Sequence, residues 1–344
     1  MVELHLHLDG SLEPSEILTL AAKSRTPLPT QDPEALRRLL TVEKDCRSLG
    51  EYLQKFALPL SVLQSEETIE AAVSMLLDRL HRLGLLYAEI RYAPQLHRKN
   101  GLSQEQVVQA SIRGLQTGIA KTGMPAQLIL CCMRGGSEQE NRETAALARA
   151  YLGAGVCALD LAGDEARFPT ASFRALFAEA QKAGVPFVLH AGEAAGADSV
   201  RCALEMGAKR IGHGIRSVED PAVLALLRDA GTVLETCFSS NLQTCAVRSA
   251  EAYPLPLFLR EGIAATLCTD NSTVSGTDLR QEYRRVQRAC QLQKDQLLQL
   301  AQNAVNGAFL EPKAKAALSA KVEEAFPLWL EAEPAVHISG ADVI

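Results

Sequence analysis

Short apolar segments rich in β-branched and aliphatic residues recur along the chain. Each is followed by a longer stretch in which apolar positions return every three to four residues. The short segments predict buried strands near Val2 to His7, Leu86 to Tyr92, Ala126 to Met133, Val156 to Leu161, Pro186 to His190, Arg210 to His213, Thr232 to Thr236 and Ile263 to Thr269. The longer stretches predict amphipathic helices between them. Gly84, Gly155, Gly184, Gly207, Gly231 and Gly262 stand shortly before strands, where a left-handed residue can close the preceding helix. Eight strand-helix units in 344 residues favour an α/β architecture closed as a (β/α)8 TIM barrel over a doubly wound sheet.

The longest gap lies between the first two strands and carries amphipathic sequence such as Pro33 to Leu40 and Thr68 to Leu83. It reads as a helical insertion after the first strand, set over one barrel mouth. No internal repeat or low-complexity linker divides the chain, so residues 1–330 read as one domain. From Glu331 to Ile344 the sequence turns polar and carries Pro334 and Gly340, as a loose C-terminal tail would. Met1 stands so close to the first strand that the barrel floor there is expected to be thinly covered.

Composition narrows the function. With 35 Lys and Arg against 41 Asp and Glu, the net charge is −6, and no basic block stands out. Nucleic acid and anionic membrane are therefore not expected as partners. No apolar run approaches the roughly 18 residues of a membrane helix. The nine cysteines are scattered and never spaced C-x-x-C, which argues against a disulfide framework or a thiolate zinc site. Reducing cytoplasm is the expected compartment.

In such a barrel the reacting groups sit where strands end. His5 and His7 end the first strand, His190 the fifth and His213 the sixth; Glu193 and Asp270 follow the fifth and end the eighth. Residues two apart in a strand share a face, so His5 and His7 bring two imidazoles to the interior. Alone, that pair could be core histidines satisfied by neighbours. With His190 and Asp270 arriving at the same mouth, three imidazoles and a carboxylate suit a zinc ion with a position left for water. Glu193 could be a surface loop carboxylate, but beside a metal histidine it is a candidate general acid, which desolvation would keep protonated. Glu89, Arg91, Arg134 and Glu235, charged residues in or at the ends of strands, are expected to form ion pairs inside the barrel. His97 is expected on a loop near the pocket, with no direct role.

Other templates fail. The chain has no G-x-x-x-x-G-K-[ST] or G-x-S-x-G motif. Gly153-x-Gly155-x-x-Ala158 precedes its strand rather than following it, and so reads as a helix-to-strand turn. The H-x-E with P-C-x-x-C signature of cytidine-type zinc deaminases is missing. Ala158 to Glu165 contains no lysine of the kind that bridges two metals in binuclear hydrolase barrels.

Taken in order, Glu3-Leu4-His5-Leu6-His7-Leu8-Asp9-Gly10, Glu89-Ile90-Arg91-Tyr92-Ala93-Pro94, Asp160-Leu161-Ala162-Gly163-Asp164-Glu165, His190-Ala191-Gly192-Glu193, Gly212-His213-Gly214, Ser239-Ser240-Asn241 and Thr269-Asp270 give the chain its likeness to a known group. It resembles the adenosine deaminase family of metal-dependent hydrolase barrels, over nearly the whole barrel. The resemblance implies one zinc ion per chain, held by His5, His7, His190 and Asp270. It implies that His213 and Asp270 orient the attacking water and take up its proton, and that Glu193 protonates purine N1. Substrate contacts would come from the backbone of Gly163 to N3, from Asp9 and nearby His7 to ribose, and from position 271 to N7. The implied reaction converts adenosine or 2′-deoxyadenosine to inosine or 2′-deoxyinosine and ammonia, within purine metabolism. Another 6-aminopurine, either adenine or a modified nucleoside, is the alternative substrate. Asp9 favours the nucleoside, since related adenine deaminases usually carry Glu there; as a bare turn residue beside Gly10 it would say nothing. The family usually has two consecutive aspartates at the eighth strand, whereas this chain has Asp270-Asn271. An amide can donate to N7 without taking up a proton, so purine recognition survives the change while substrate range and pH profile are left open.

Overall fold

The computed structural model describes residues 1–43 and 46–332. Its strands are β1 (Val2–His7), β2 (Tyr87–Tyr92), β3 (Ala126–Met133), β4 (Val156–Ala162), β5 (Val188–Ala191), β6 (Arg210–His213), β7 (Val233–Thr236) and β8 (Ala265–Leu267). They form two parallel sheets in sequential order, β1 to β4 and β5 to β8. Single bridges between Leu159 and Phe187 and between Leu6 and Asp270 join the two sheets at both seams. This is the closed (β/α)8 barrel that the alternation predicts. Among the described residues no helix is long and apolar enough to cross a membrane. Of the expected tail, everything from residue 333 onward lies outside the described residues.

Most strand ends fall within a residue of expectation, and the larger departures are at the start of β5, on the barrel floor, and at the two ends of β8, the later of them at the mouth. β5 starts after Pro186, which has no N–H to give a ladder; its carbonyl accepts from Leu159 N at 3.0 Å. β8 stops at Leu267 because the chain turns into a left-handed conformation at Asp270, φ 61°. Pairing with β1 persists past that turn, since Asp270 N donates to His5 O and His7 N to Asp270 O, both at 2.8 Å.

The long helix Glu66–Arg82 begins where the Ser65 side chain accepts from Thr68 N, and it buries Ile69, Ala72, Val73, Leu76, Leu77 and Leu80 along one stripe. Each large aliphatic side chain so buried contributes about 1.5–3 kcal/mol. The stripe is covered in part by helix Gln104–Thr122, where Gly114 permits close approach: a Cβ there would lie 2.3 Å from Glu70 O. The insertion is helical as expected, with Pro33–Leu40, Leu49–Tyr52 and Ala57–Val62 and a 3-10 turn Leu53–Phe56. It is fastened to the loop after β8 by Val42 N donating to Val274 O at 2.9 Å and by a 2.7 Å bond between the Tyr52 and Ser275 hydroxyls.

The expectation of a thinly covered floor is corrected. Met1 is buried, its ammonium donates to Gly84 O at 3.0 Å and its carbonyl accepts from Leu86 N at 2.7 Å. Burial, then the nearby Arg280 charge, pull that amine down to about 5.

Ion pairs fill the barrel interior. Arg91 on β2 donates to Asp160 on β4 at 2.9 Å, to Glu235 on β7 at 2.8 Å and to Leu4 O at 2.6 Å. Arg210 on β6 donates to Glu89 on β2 at 2.6 Å, to Gly307 O at 2.9 Å and to Glu235, and its guanidinium lies 4.1 Å from the centre of the Phe309 ring. Arg134 departs from the expectation. Past the end of β3 it meets backbone carbonyls rather than carboxylates, and donates to Phe168 O, Thr170 Oγ1 and His190 O at 2.6, 2.9 and 2.6 Å.

Replacing Arg210 by Met leaves Glu89 and part of Glu235 as uncompensated buried charge. The expected loss is about 3–5 kcal/mol of unfolding free energy in a denaturant titration. A loss below about 1 kcal/mol would show that the interior ladder does not depend on this cation.

Candidate active site

β1 is bulged between Glu3 and Leu6, and Glu3, His5 and His7 face the interior. His7 Nε2 lies 3.3 Å from His190 Nε2 and 3.4 Å from Asp270 Oδ1, and His5 Nε2 lies 3.3 Å from Asp270 Oδ1. Each of these four residues offers one ligand atom, all within 4.8 Å of one another. His5 Nε2 is buried and has no hydrogen-bond partner. Three imidazoles and one carboxylate form a donor set that fits a divalent ion of the zinc type.

The second ring nitrogens fix the orientation. His5 Nδ1 donates to Glu235 at 2.9 Å and His190 Nδ1 to Asp160 at 3.0 Å, which turns both Nε2 atoms toward the cluster. Burial alone would raise both carboxyls. The charges of His190 and Arg91 at Asp160, and of Arg91 and Arg210 at Glu235, outweigh burial and hold both below the usual carboxylate range. Between the two rings sits Gly212, where a Cβ would lie 3.0 Å from His5 Cε1 and 3.2 Å from His190 Cα.

His213 ends β6 in a left-handed conformation, φ 62°. Asn241 Oδ1 accepts from Cys237 N at 3.3 Å and from Tyr253 OH at 3.1 Å, so the amide nitrogen faces His213 Nδ1 at 3.0 Å. Nδ1 is thus an acceptor, and burial keeps the ring neutral, which places the ring proton on Nε2. That atom is 3.6 Å from Glu193 Oε2. Burial first, then the charges of Asp270 and Glu165, push the Glu193 carboxyl well above its ordinary value. Asp270 behaves oppositely: burial would raise it, but His5, with Nε2 3.3 Å from Oδ1, and the other imidazoles keep it ionised, and its Oδ2 accepts from Ser240 Oγ at 2.6 Å.

These groups open into a cavity of about 220 Å³ that Asp9, Gly163 and Asn271 also line. Burial pushes Asp9 up to about 6, and Asp9 Oδ1, Asn271 Oδ1 and Glu193 Oε1 are buried without partners. A Cβ at Gly10 would fall 1.9 Å from Asn271 Oδ1, so position 10 must be glycine for Asn271 to lie there. Leu49, Leu53, Phe56 and Leu60 of the insertion form an apolar wall, and among the described residues no Lys or Arg lines the cavity.

All the residues nominated from sequence therefore converge: His5, His7, His190 and Asp270 in one cluster, Glu193 and His213 beside it, and Asp9, Gly163 and Asn271 on the same cavity. His97 does not line it; its Nδ1 is engaged by Leu63 O at 2.9 Å. Sequence reasoning missed the apolar wall, the orienting roles of Asp160 and Glu235, and the bonds from Ser240 and Asn241.

Comparison with known proteins agrees with this geometry. A family model described as adenosine deaminase matches residues 1–325. An adenosine deaminase of Haemophilus ducreyi is 48% identical over 332 residues, 95% of this chain and 96% of the relative. One from Enterococcus faecalis is 38% identical, with 94% and 96% covered. Among solved structures, the adenine deaminase of Arthrobacter aurescens superposes with a TM-score of 0.87 at 28% identity, covering 95% of this chain and 98% of the other.

Zinc added to metal-stripped protein is expected to bind at about one ion per chain and raise the melting temperature. Asp270→Ala should weaken that binding by about 100-fold or more, measured by titration against a competing chelator. Undiminished affinity would take Asp270 out of the ligand set.

Proposed function

The chain belongs to the adenosine deaminase family and is a hydrolytic deaminase of adenosine, and we propose that the residues gathered at its barrel mouth divide the reaction as follows. The observation that carries this reading is the placement, at the inner end of one cavity, of a buried Glu193 whose carboxyl is pushed well above its ordinary value and an Asp270 whose carboxyl is held below it. Two carboxyls with opposed protonation states are what acid-base chemistry at neutral pH requires.

Glu193 donates its proton to purine N1, which breaks the aromaticity of the ring and makes C6 electrophilic. A zinc ion held by His5, His7, His190 and Asp270, one per chain, would supply Lewis-acid activation of water at neutral pH. Asp270, tethered by Ser240, accepts the proton that water gives up as its oxygen adds to C6. His213, whose Nε2 carries the ring proton, donates toward that oxygen and orients it rather than serving as the base. The proton on Asp270 passes to the 6-amino nitrogen, ammonia leaves, and the C6 hydroxyl proton returns to Glu193 as the carbonyl of inosine forms. Every group ends as it began.

Asp9 and the neighbouring His7 read the ribose hydroxyls, the Gly163 N–H reads N3, and the Asn271 amide supplies a donor to N7 without proton uptake. A cavity with no cation among the described residues that line it suits an uncharged nucleoside, ribo or 2′-deoxy. Residues 1–330 act as one catalytic unit. The nine cysteines are free, which suits reducing cytoplasm.

Purified protein is expected to turn over adenosine at least about 100-fold faster than adenine in kcat/KM, since a site built to bond hydroxyls discriminates strongly against a ligand without them. Preference for adenine would make the free base the substrate. Glu193→Gln should fold, keep its metal and lose about 100- to 10,000-fold in kcat. Unchanged turnover would remove Glu193 from the mechanism. 7-Deazaadenosine, which has no N7 acceptor, should bind about tenfold more weakly than adenosine. Asn271→Ala should abolish that difference, and a difference that persists would assign N7 to another group.

A further inference from the structure

The segment from His190 to Ala195 carries both a residue of the metal cluster and the proposed acid, yet the Glu193 side chain has few partners: Oε1 has none, Oε2 approaches His213 only to 3.6 Å, and the Thr244 side chain is within hydrogen-bonding reach of the carboxyl. Its place is set chiefly by its backbone. That backbone converges on one buried carboxylate. Glu165, 2% exposed, accepts from Gly192 N at 2.8 Å through Oε1 and from Glu193, Ala194 and Ala195 N at 3.0, 2.8 and 2.9 Å through Oε2. Ser199 Oγ also donates to Oε1. Ser199 Oγ in turn lies 2.7 Å from Thr170 Oγ1, which accepts from Arg134 Nη2 at 2.9 Å, and the same nitrogen donates to His190 O at 2.6 Å.

We propose that Glu165 is a positioning residue for the deamination reaction. It holds the backbone of residues 192–195 so that the Glu193 carboxyl meets purine N1, while Arg134, at the other end of the same hydrogen-bonded run, fixes His190. The proposal rests on the function assigned to Glu193 above. Glu165 does not line the cavity, so it touches neither substrate nor the reacting atoms. Five donors on two oxygens demand an acceptor-only group, which an ionised carboxylate is and an amide is not. Glutamine has the same shape but brings N–H groups against one set of these donors. The segment would then open or shift, and misplacement of an acid by even about 1 Å costs rate far more than it costs binding.

The test is a double-mutant cycle in the full-length, metal-loaded protein with Glu165→Gln, Glu193→Gln and the double variant. Each is followed by kcat, KM, metal content and amide hydrogen exchange over residues 190–196. Glu165→Gln should lower kcat about tenfold or more with KM changed by less than about threefold, keep its metal and exchange faster in that segment. In the Glu193→Gln background, the same change should alter kcat by less than about twofold, because the group being positioned is gone. A kcat within about twofold of the parent for Glu165→Gln, or the full loss repeated in the double variant, overturns the proposal. If Glu165→Gln fails to fold, Ser199→Ala removes one of the five bonds. It should then slow kcat about threefold and speed exchange in the segment, and no change in either overturns the proposal. Failure of the parent to deaminate adenosine would strike the function itself. Where the parent does deaminate, unchanged exchange in Glu165→Gln would strike only the clamp.

Discussion

Two guanidinium groups buried inside a barrel dictate much of what surrounds them. Arg91 and Arg210 have no route to water, so the strands facing them must supply anions, and Glu89, Asp160 and Glu235 do so from β2, β4 and β7. Removing any one partner leaves an unpaired charge in a low-dielectric interior. The same carboxylates have capacity left over, and they spend it on the Nδ1 atoms of His5 and His190. One network thus ties opposite walls of the barrel together and aims two imidazoles at a common point. Orientation of the cluster is settled by the packing of the interior, before any ligand arrives.

Above that network, carboxyl groups of similar burial do different work because their neighbours differ. Asp160 and Glu235 sit against guanidinium groups, and Asp270 sits among imidazoles, so all three are ionised. Glu193 meets too little compensation: Asp270 and Glu165 repel its anion, and Thr244 and Arg134 offset burial and that repulsion only in part. Charge separation across a few ångströms of cavity follows from placement alone. The apolar wall of Leu49, Leu53, Phe56 and Leu60 strengthens it by lowering the local polarity on the open side.

The barrel and its reacting residues were legible because both follow simple periods. Helices closed by glycine just before strands and the two-residue spacing of His5 and His7 announce themselves in sequence. The pocket wall did not, because the segment that builds it breaks into short pieces, with a 3-10 turn at Leu53–Phe56 and Pro59 in the following helix, and no single stripe survives. Asp160 could have been found by counting inward positions along β4, since it alternates with buried Leu159 and Leu161. Glu165 could not, because it lies in a loop and its partners are backbone groups that leave no mark on composition. Arg134 was misjudged for the same reason: charge was expected to meet charge, whereas the end of a strand offers carbonyls.

His213 and Asp270 both hold left-handed backbone, at φ 62° and 61°, a region that costs an ordinary residue about 1–2 kcal/mol and glycine almost nothing. The polypeptide is therefore tense at His213 and Asp270, two of the residues that line the cavity. A lineage released from the need to turn over substrate would find thermodynamic relief by drifting to glycine at either position, trading competence for durability. Arg25, Cys245 and Gln291 take the same conformation at φ 55°, 60° and 53° away from the cavity, so what marks a histidine and an aspartate as in use is the coincidence of that cramped backbone with the ligand cluster.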